Sequence, residues 1–148
     1  MSGTAFVYGT LMAPEVLQLL IKRVPKSRAA TLNGYARYRV KEQVFPAIIP
    51  AKQSESKVTG VVLMELSRSE LDILDVYESE EYYRAAVEPE MGDGSKMTAD
   101  VYIWKDEYKD QLLLDQPDWD FSGFMAQHLP EYLTMTKLFM QECFPEQQ

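Results

Sequence analysis

The sequence predicts an α+β fold, in which a small, mostly antiparallel or mixed β-sheet or β-barrel is flanked by helices and followed by an additional C-terminal helix. The chain has 148 residues, the length of one ordinary domain. Its 46% hydrophobic and 26% charged residues are typical of a globular protein. The strand-like segments mostly follow one another, which disfavours a doubly wound parallel sheet. We therefore expect a single domain over residues 1–148, with a core at about 4–110 and a helical extension at about 119–144.

The N-terminal segment predicts a strand, a loop and a helix. Residues 4–8 are β-branched and aromatic, as in a buried strand. Gly9 ends the strand, and Pro14 suits the first turn of a helix because its missing N–H would be unpaired there. Apolar residues then recur at helical spacing until Pro25 ends the helix.

The middle of the chain predicts further strands. Residues 29–41 alternate loosely between apolar and polar side chains around an Asn-Gly pair, so they form one bent strand or a hairpin. Residues 45–50 are extended, with prolines that suit an edge or a bulge. Residues 58–66 form another strand, in which Gly60 marks a bulge or a close backbone approach.

A second helix is predicted by its N-terminal cap. Ser67 and Glu70 have the spacing of a capping box, so we expect a helix over residues 68–78. Two further strands, 82–89 and 98–104, are joined by a Gly-Asp-Gly hairpin loop.

The C-terminal segment predicts an amphipathic helix. From residue 121 onward, apolar side chains recur mostly every three or four positions. Pro130 splits or kinks this helix because it lacks an N–H and its ring clashes with the preceding turn.

Composition excludes several classes of protein. The net charge of −8 argues against a general nucleic-acid binder. No apolar run reaches the roughly 18–20 residues of a transmembrane helix, and residues 1–4 lack the features of a signal peptide. Cys143 is the only cysteine, so we expect no intrachain disulfide and a cytoplasmic protein. His128 and Glu131 lie three apart without further ligands, so no metal site is predicted.

Tyr8, Gly9, Thr10 and Leu11 form the first candidate site, where the first strand meets the first helix. A tight turn at a helix N-terminus leaves N–H groups unpaired beside the positive end of the helix dipole, which suits a carboxylate or an oxyanion. Gly9 has no Cβ, which permits an unusual backbone angle and close ligand approach. The alternative interpretation is a plain connection between a strand and a helix.

A cluster of carboxylates around the end of the second predicted helix forms the second candidate site. Helical spacing from Leu71 and Leu74 places Glu78 near the inward face of that helix, at its C-terminal end. Burial and the negative helix end both raise the pKa of a carboxyl there, which suits a general base near neutral pH. The alternative is that the whole cluster is an acidic surface. Its members are Asp72, Asp75, Glu78, Glu80 and Glu81.

Two motifs follow each other in a specific order. Phe6-Val7-Tyr8-Gly9-Thr10-Leu11 precedes Leu74-Asp75-Val76-Tyr77-Glu78, which is followed by Tyr83-Arg84. Segments 32–35, 45–48, 58–62 and 102–104 agree with the same pattern. Over roughly residues 4–104, the chain resembles the gamma-glutamylcyclotransferase-like superfamily, and most closely its plant avirulence-induced branch. The C-terminal helix resembles the extra helix of that branch.

The resemblance implies a small β-barrel flanked by helices, the gamma-glutamylcyclotransferase-like fold, and an enzyme without a metal or organic cofactor. In such enzymes the α-amino group of a small-molecule γ-glutamyl substrate attacks its own γ-carbonyl, releasing 5-oxoproline and a free amine or amino acid. Carried over to this chain, Tyr8, Gly9, Thr10 and Leu11 bind the substrate and Glu78 is the catalytic acid/base. Ser79 follows Glu78 where many members have glycine.

Two other functions remain open at this point. One is a catalytically idle barrel that binds a small anionic metabolite or a partner protein, and the other is a hydrolase in which Glu78 acts on water. A Glu78 carboxyl in a water-poor cavity favours the enzyme, whereas an exposed one favours the binding protein. The sequence predicts neither the oligomeric state nor the amine half of the substrate.

Overall fold

The computed structural model describes residues 3–53, 55–116 and 118–147. The expectation that the chain begins without a signal peptide falls partly on Met1 and Ser2, which lie outside the described residues. In the described part of the chain, no helix has the length and apolar character needed to cross a membrane.

The strands and helices follow one another along the chain in nearly the predicted order. The β-strands are β1 Gly3–Val7, β2 Ser27–Asn33, β3 Tyr35–Arg39, β4 Pro46–Pro50, β5 Lys57–Leu66, β6 Tyr82–Val87, β7 Glu90–Met91 and β8 Ala99–Trp104. The α-helices are α1 Pro14–Ile21, α2 Arg68–Glu78, α3 Phe121–Gln127 and α4 Leu129–Cys143. Short 3-10 turns span Thr10–Met12, Asp106–Gln111 and Pro145–Gln147.

Six of the strands form one mixed sheet in the order β6-β8-β1-β5-β2-β7. Strand β1 pairs antiparallel with β5 and parallel with β8. Strands β3 and β4 form a separate two-stranded sheet. The α+β class with a mixed sheet and helices is therefore confirmed. A closed barrel is not found among the described residues, so that part of the fold prediction is not confirmed.

The region predicted as one bent strand or a hairpin is two strands in different sheets. Strand β2 pairs with β5 and β7, whereas β3 pairs with β4, so β2 and β3 do not form a hairpin. Gly34 lies between them with φ of 86°, a left-handed conformation that glycine adopts without a Cβ clash. The chain therefore changes sheets at this glycine.

Helix α2 begins at the predicted cap. The Ser67 hydroxyl accepts a hydrogen bond from the Glu70 N–H at 3.1 Å, and the Glu70 carboxylate accepts one from the Ser67 N–H at 2.8 Å. The capping box and the bounds 68–78 are thus confirmed. Because both ends of this helix are fixed by local contacts, Glu78 is placed at its last turn.

The C-terminal extension is two helices. Helix α3 ends at Gln127, α4 begins at Leu129, and Pro130 occupies its first turn, so the predicted split is confirmed. Phe124 and Met140 of these helices are buried. The extension is therefore part of the hydrophobic core.

The core lies on both faces of the six-stranded sheet. Ala5 and Val7 belong to a cluster shared with α1, α2, α3 and α4, whereas Phe6 belongs to a second cluster with Ile48 of β4. A Cβ on Gly60 would lie 2.3 Å from the Val7 carbonyl oxygen, so the predicted close backbone approach is confirmed. This close pairing of β1 and β5 fixes the direction in which the chain leaves β1.

Candidate active site

The end of β1 and the end of α2 meet at one cavity. Its empty volume, including the part open to solvent, is about 330 Å³. All five predicted site residues line it, together with aromatic and apolar neighbours. The lining residues are Phe6, Val7, Tyr8, Gly9, Thr10, Leu11, Phe45, Pro46, Glu78, Tyr82 and Tyr102.

Residues 8–11, which we call the site loop, leave β1 through a 3-10 turn. The Met12 N–H donates to the Gly9 carbonyl at 3.0 Å, and the Ala13 N–H donates to the Thr10 carbonyl at 3.1 Å. The N–H groups of Thr10 and Leu11 are the first in this turn, so no carbonyl oxygen of the turn accepts a hydrogen bond from them. The sequence predicts a loop directly before the helix, and the structure has a 3-10 turn there whose residues Thr10 and Leu11 line the cavity.

Gly9 is required by the space around it. A Cβ at this position would lie 2.8 Å from both Cδ and Cγ of Pro46. The φ of Gly9 is −134°, outside the left-handed region, so a positive φ does not explain the glycine. Because Gly9 has no side chain, the Pro46 ring can pack directly against its backbone, and Pro46 lines the same cavity.

The side chains of the site loop are held by the protein. Tyr8 is buried, and its hydroxyl donates to the Tyr102 carbonyl oxygen at 2.7 Å. The Thr10 hydroxyl lies 3.0 Å from the Tyr132 hydroxyl. Leu11 is buried in the core. The carbonyl oxygens of Tyr8, Gly9 and Thr10 also accept hydrogen bonds, so the N–H groups of Thr10 and Leu11 are the groups of the loop without an acceptor in its turn.

Glu78 has an unpaired carboxyl at the cavity. Within residues 3–53, 55–116 and 118–147, its carboxylate makes no hydrogen bond or ion pair, and the residue is half-buried. Burial raises the pKa of this carboxyl to about 8, because the charged form loses hydration that no partner replaces. A carboxyl with such a pKa can both take up and release a proton near neutral pH.

The other members of the carboxylate cluster are in different environments. Asp75 accepts a hydrogen bond from the Tyr102 hydroxyl at 2.7 Å and lies 3.3 Å from the Arg84 guanidinium. Glu81 accepts a hydrogen bond from the Ser79 hydroxyl. Asp72 and Glu80 are exposed. The acidic-surface interpretation therefore applies to Asp72 and Glu80 but not to Glu78.

A second cavity, of about 490 Å³ including its open part, also borders Glu78. Three residues, Phe45, Glu78 and Tyr82, line both cavities. Glu78 therefore borders both the cavity of the site loop and a largely aromatic space. The residues of this second cavity are Phe45, Tyr77, Glu78, Ser79, Glu81, Tyr82, Trp104 and Tyr132.

Comparison with known proteins identifies the family of this chain. The family model described as "Gamma-glutamyl cyclotransferase, AIG2-like" matches residues 5–121. The chain belongs to this family. It is 40% identical to AIG2-like protein D of Arabidopsis thaliana over 96% of this chain and 95% of that protein. It is 38% identical to AIG2-like protein C of the same plant, over 92% of this chain and 77% of that protein.

Solved structures show the same fold. A solution structure of an Arabidopsis thaliana protein matches 95% of this chain and 91% of that chain, with 32% identity and a TM-score of 0.67. A structure described as a gamma-glutamyl cyclotransferase matches 93% of this chain and 87% of that chain, with 20% identity and a TM-score of 0.63. At 20% identity, the second likeness concerns the fold alone.

Sequence reasoning missed several aromatic residues of this AIG2-like site. Tyr82 and Tyr102 were assigned only to strands, and Tyr132 lies beyond the region that the family model matches. Tyr82 and Tyr102 both lie in aromatic-rich strand segments, a pattern that predicts a strand and gives no sign of which tyrosine lines a cavity. In the described residues, no group of three or more His, Cys, Asp or Glu side chains could hold a metal ion.

Proposed function

We propose that the chain is a gamma-glutamylcyclotransferase. It catalyses an intramolecular acyl transfer in a γ-glutamyl amine or peptide and releases 5-oxoproline and a free amine or amino acid. The observation that carries this proposal is the unpaired Glu78 carboxyl, with a pKa raised to about 8, at the same cavity as the N–H groups of the site loop. Membership in the family supports a cyclotransferase-like activity.

The reaction needs few groups because nucleophile and electrophile belong to one molecule. Folding the glutamyl chain back brings the α-nitrogen to the γ-carbonyl at a high effective concentration. The new bond joins the α-nitrogen to the γ-carbon, and the bond from the γ-carbon to the departing nitrogen breaks. No oxidant, reductant or second substrate is needed.

Glu78 moves the proton in this proposal. Its carboxylate accepts a proton from the α-ammonium group, which makes the nitrogen nucleophilic. The resulting neutral carboxyl donates that proton to the departing nitrogen, which leaves as a neutral amine. The regenerated carboxylate then accepts the second proton, which the ring nitrogen loses as it becomes the lactam N–H, and passes it to the released amine. The raised pKa suits both steps, since a fully exposed carboxyl would be too weak a base for an ammonium group.

The site loop holds the negative charge of the substrate. The N–H groups of Thr10 and Leu11 have no acceptor within their turn and belong to residues that line the cavity. Such groups can bind the α-carboxylate or the oxyanion that develops on the γ-carbonyl. We place the activity in the cytoplasm, because an exposed, unpaired Cys143 suits a reducing compartment.

The test is a panel of γ-glutamyl amines and peptides scored for 5-oxoproline and for glutamate. We expect 5-oxoproline from at least one compound, and a roughly 10²–10⁴-fold lower rate for Glu78→Gln, which keeps the shape but cannot exchange the proton. Glu80→Gln is the matched control, because Glu80 is exposed and lines neither cavity. Release of glutamate would identify a hydrolase, and binding without turnover would identify a binding protein.

A further inference from the structure

The segment 118–143 packs against the site loop and its neighbours. Trp119 donates its indole N–H to the Val44 carbonyl oxygen at 2.7 Å, next to Phe45, which lines both cavities. Its ring lies 5.7 Å from that of Phe124, and the Phe124 ring meets the Tyr132 ring edge-on at 5.3 Å. An aromatic row therefore connects the start of the extension to the site.

Tyr132 of α4 reaches the site loop directly. Its hydroxyl lies 3.0 Å from the Thr10 hydroxyl, and both residues are buried. The ring of Tyr132 also lines the second cavity beside Glu78. One side chain of the C-terminal helix thus touches both parts of the candidate site.

The position of Tyr132 is itself fixed by its neighbours. The buried Thr136 hydroxyl donates to the Tyr132 carbonyl oxygen at 2.8 Å and lies 3.0 Å from the Tyr77 hydroxyl of α2. These contacts fasten α4 to the helix that carries Glu78. Because buried hydroxyl groups are costly to leave unpaired, this arrangement resists displacement of the Tyr132 ring.

The other side of Gly9 is held by the same segment through Arg37. The Arg37 guanidinium donates to the Tyr8 carbonyl oxygen at 2.7 Å and to both carboxylate oxygens of Asp118 at 3.0 and 3.1 Å. Residues on both sides of Gly9 are therefore connected to residues 118–143.

We propose that Tyr132 is a positioning residue for the candidate site, which holds the site loop in place through the Thr10 hydroxyl. The C-terminal helix, outside the region that the family model matches, then completes the site. The expected effect of Tyr132 on substrate binding rests on the function proposed above. The expected effect of Tyr132 on the stability of the site-loop turn does not depend on that function. Loss of the hydroxyl loosens the turn that presents the Thr10 and Leu11 N–H groups.

The test compares Tyr132→Phe, Thr10→Val and the double variant by amide hydrogen exchange. The probes are the N–H groups of Met12 and Ala13, which close the turn. Each single substitution removes the hydrogen bond between residues 10 and 132 that holds the turn, so we expect about tenfold faster exchange at both probes. In the double variant neither hydroxyl remains, so its exchange is no faster than that of either single variant.

Two further variants distinguish the contact between the Thr10 and Tyr132 hydroxyl groups from a general effect of changing α4. Thr10→Ser keeps the hydroxyl and should retain the exchange rates of the wild type. Thr134→Val removes an exposed hydroxyl of α4 that bonds only within its helix, and should change neither exchange nor kinetics. In turnover assays, Tyr132→Phe should raise KM about tenfold and leave kcat within about twofold, because Glu78 is retained.

Unchanged exchange in Tyr132→Phe and Thr10→Val, or additive effects in the double variant, would overturn the positioning role. If Tyr132→Phe does not fold, the Thr10→Val and Thr10→Ser pair tests the same link from the other side. Faster exchange in a protein that releases no 5-oxoproline would support the positioning role and refute the proposed function.

Discussion

Glu78 combines two features: among the residues that the structure describes its carboxylate has no partner, and burial reduces its hydration. Its pKa is raised to about 8 by burial, while Asp75 nearby has a tyrosine hydroxyl and an arginine as partners. A single unpaired carboxyl beside a helix end is sufficient for proton transfer in a cyclisation, because the substrate supplies the nucleophile.

The protonation of Glu78 predicts the pH dependence of turnover. As a base, the group works when it is charged, so kcat/KM should rise with pH and level off above about pH 8. The measurement is 5-oxoproline release at low substrate concentration between pH 5.5 and 9.5, at about half-unit steps. A flat profile through pH 8 would show that another group takes the proton, and Glu80→Gln should retain the wild-type profile.

At the scale of elements, the residues that end α2 and β1 beside the site are both restricted, one by its backbone conformation and the other by a close neighbour. Ser79 ends α2 with φ of 67° and ψ of −168°, a region that only glycine adopts without strain. Gly9 ends β1 against the Pro46 ring. Many members of the family that the sequence resembles have glycine after the corresponding glutamate. Serine at this position carries a backbone strain that glycine would not.

Ser79→Gly should stabilise the protein by about 1 kcal/mol, because relief of the backbone strain exceeds the entropy that glycine adds to the unfolded chain. Chemical denaturation measures this change. Ser69→Gly is the control, since Ser69 lies within α2, where glycine should instead destabilise by roughly 0.5–1 kcal/mol. Equal losses in both variants would contradict strain at Ser79.

Gly9→Ala should weaken binding of a non-reacting γ-glutamyl analogue, because the new Cβ displaces Pro46 from the cavity wall. Titration calorimetry measures the affinity. Gly92→Ala provides the comparison, since a Cβ at Gly92 meets nothing within 4 Å. Wild-type affinity in Gly9→Ala would indicate that residues 8–11 are only a connection between β1 and α1.

At the scale of the whole molecule, the unpaired Glu78 carboxyl and the C-terminal extension affect stability in opposite directions. The native state keeps the Glu78 proton up to a pH of about 8, whereas the unfolded chain loses it near the ordinary value of 4.5. Ionisation of Glu78 therefore costs stability. Packing of α3 and α4 into the hydrophobic core adds to it, since Phe124 and Met140 are buried.

Glu78→Gln should thus be more stable than the wild type in alkaline solution. Between about pH 4.5 and 8 the native wild type binds more protons than the unfolded state, so its stability falls relative to the variant as pH rises. The difference should be largest above pH 8 and vanish near pH 4.5. Thermal unfolding of both proteins across this range is the measurement, and a constant difference would argue against a raised pKa.

Met140→Ala should lower the free energy of unfolding by roughly 2–5 kcal/mol, because Met140 is buried in the core and its truncation leaves a cavity beneath α4. Met135→Ala on the same helix is the matched control. Met135 is 60% exposed, so its loss should change stability by no more than about 0.5 kcal/mol. Similar small losses in both variants would mean that α4 is a loosely attached appendage.

The sequence alone determined the elements whose signals are local. The capping box of α2, the split at Pro130 and the strand that ends before Gly9 depend on residues a few positions apart, and the structure agrees with each. It also identified five residues that the fold brings to one cavity.

Tertiary structure decided how the strands pair and what surrounds Glu78. Whether β2 turns back on β3 or joins another sheet depends on partners far along the chain, and no local pattern specifies them. The contact between Thr10 and Tyr132 joins residues 122 positions apart. Burial raises the pKa of Glu78 only when distant aromatic side chains close around its carboxyl, so the proton-transfer capacity of this residue is a property of the fold.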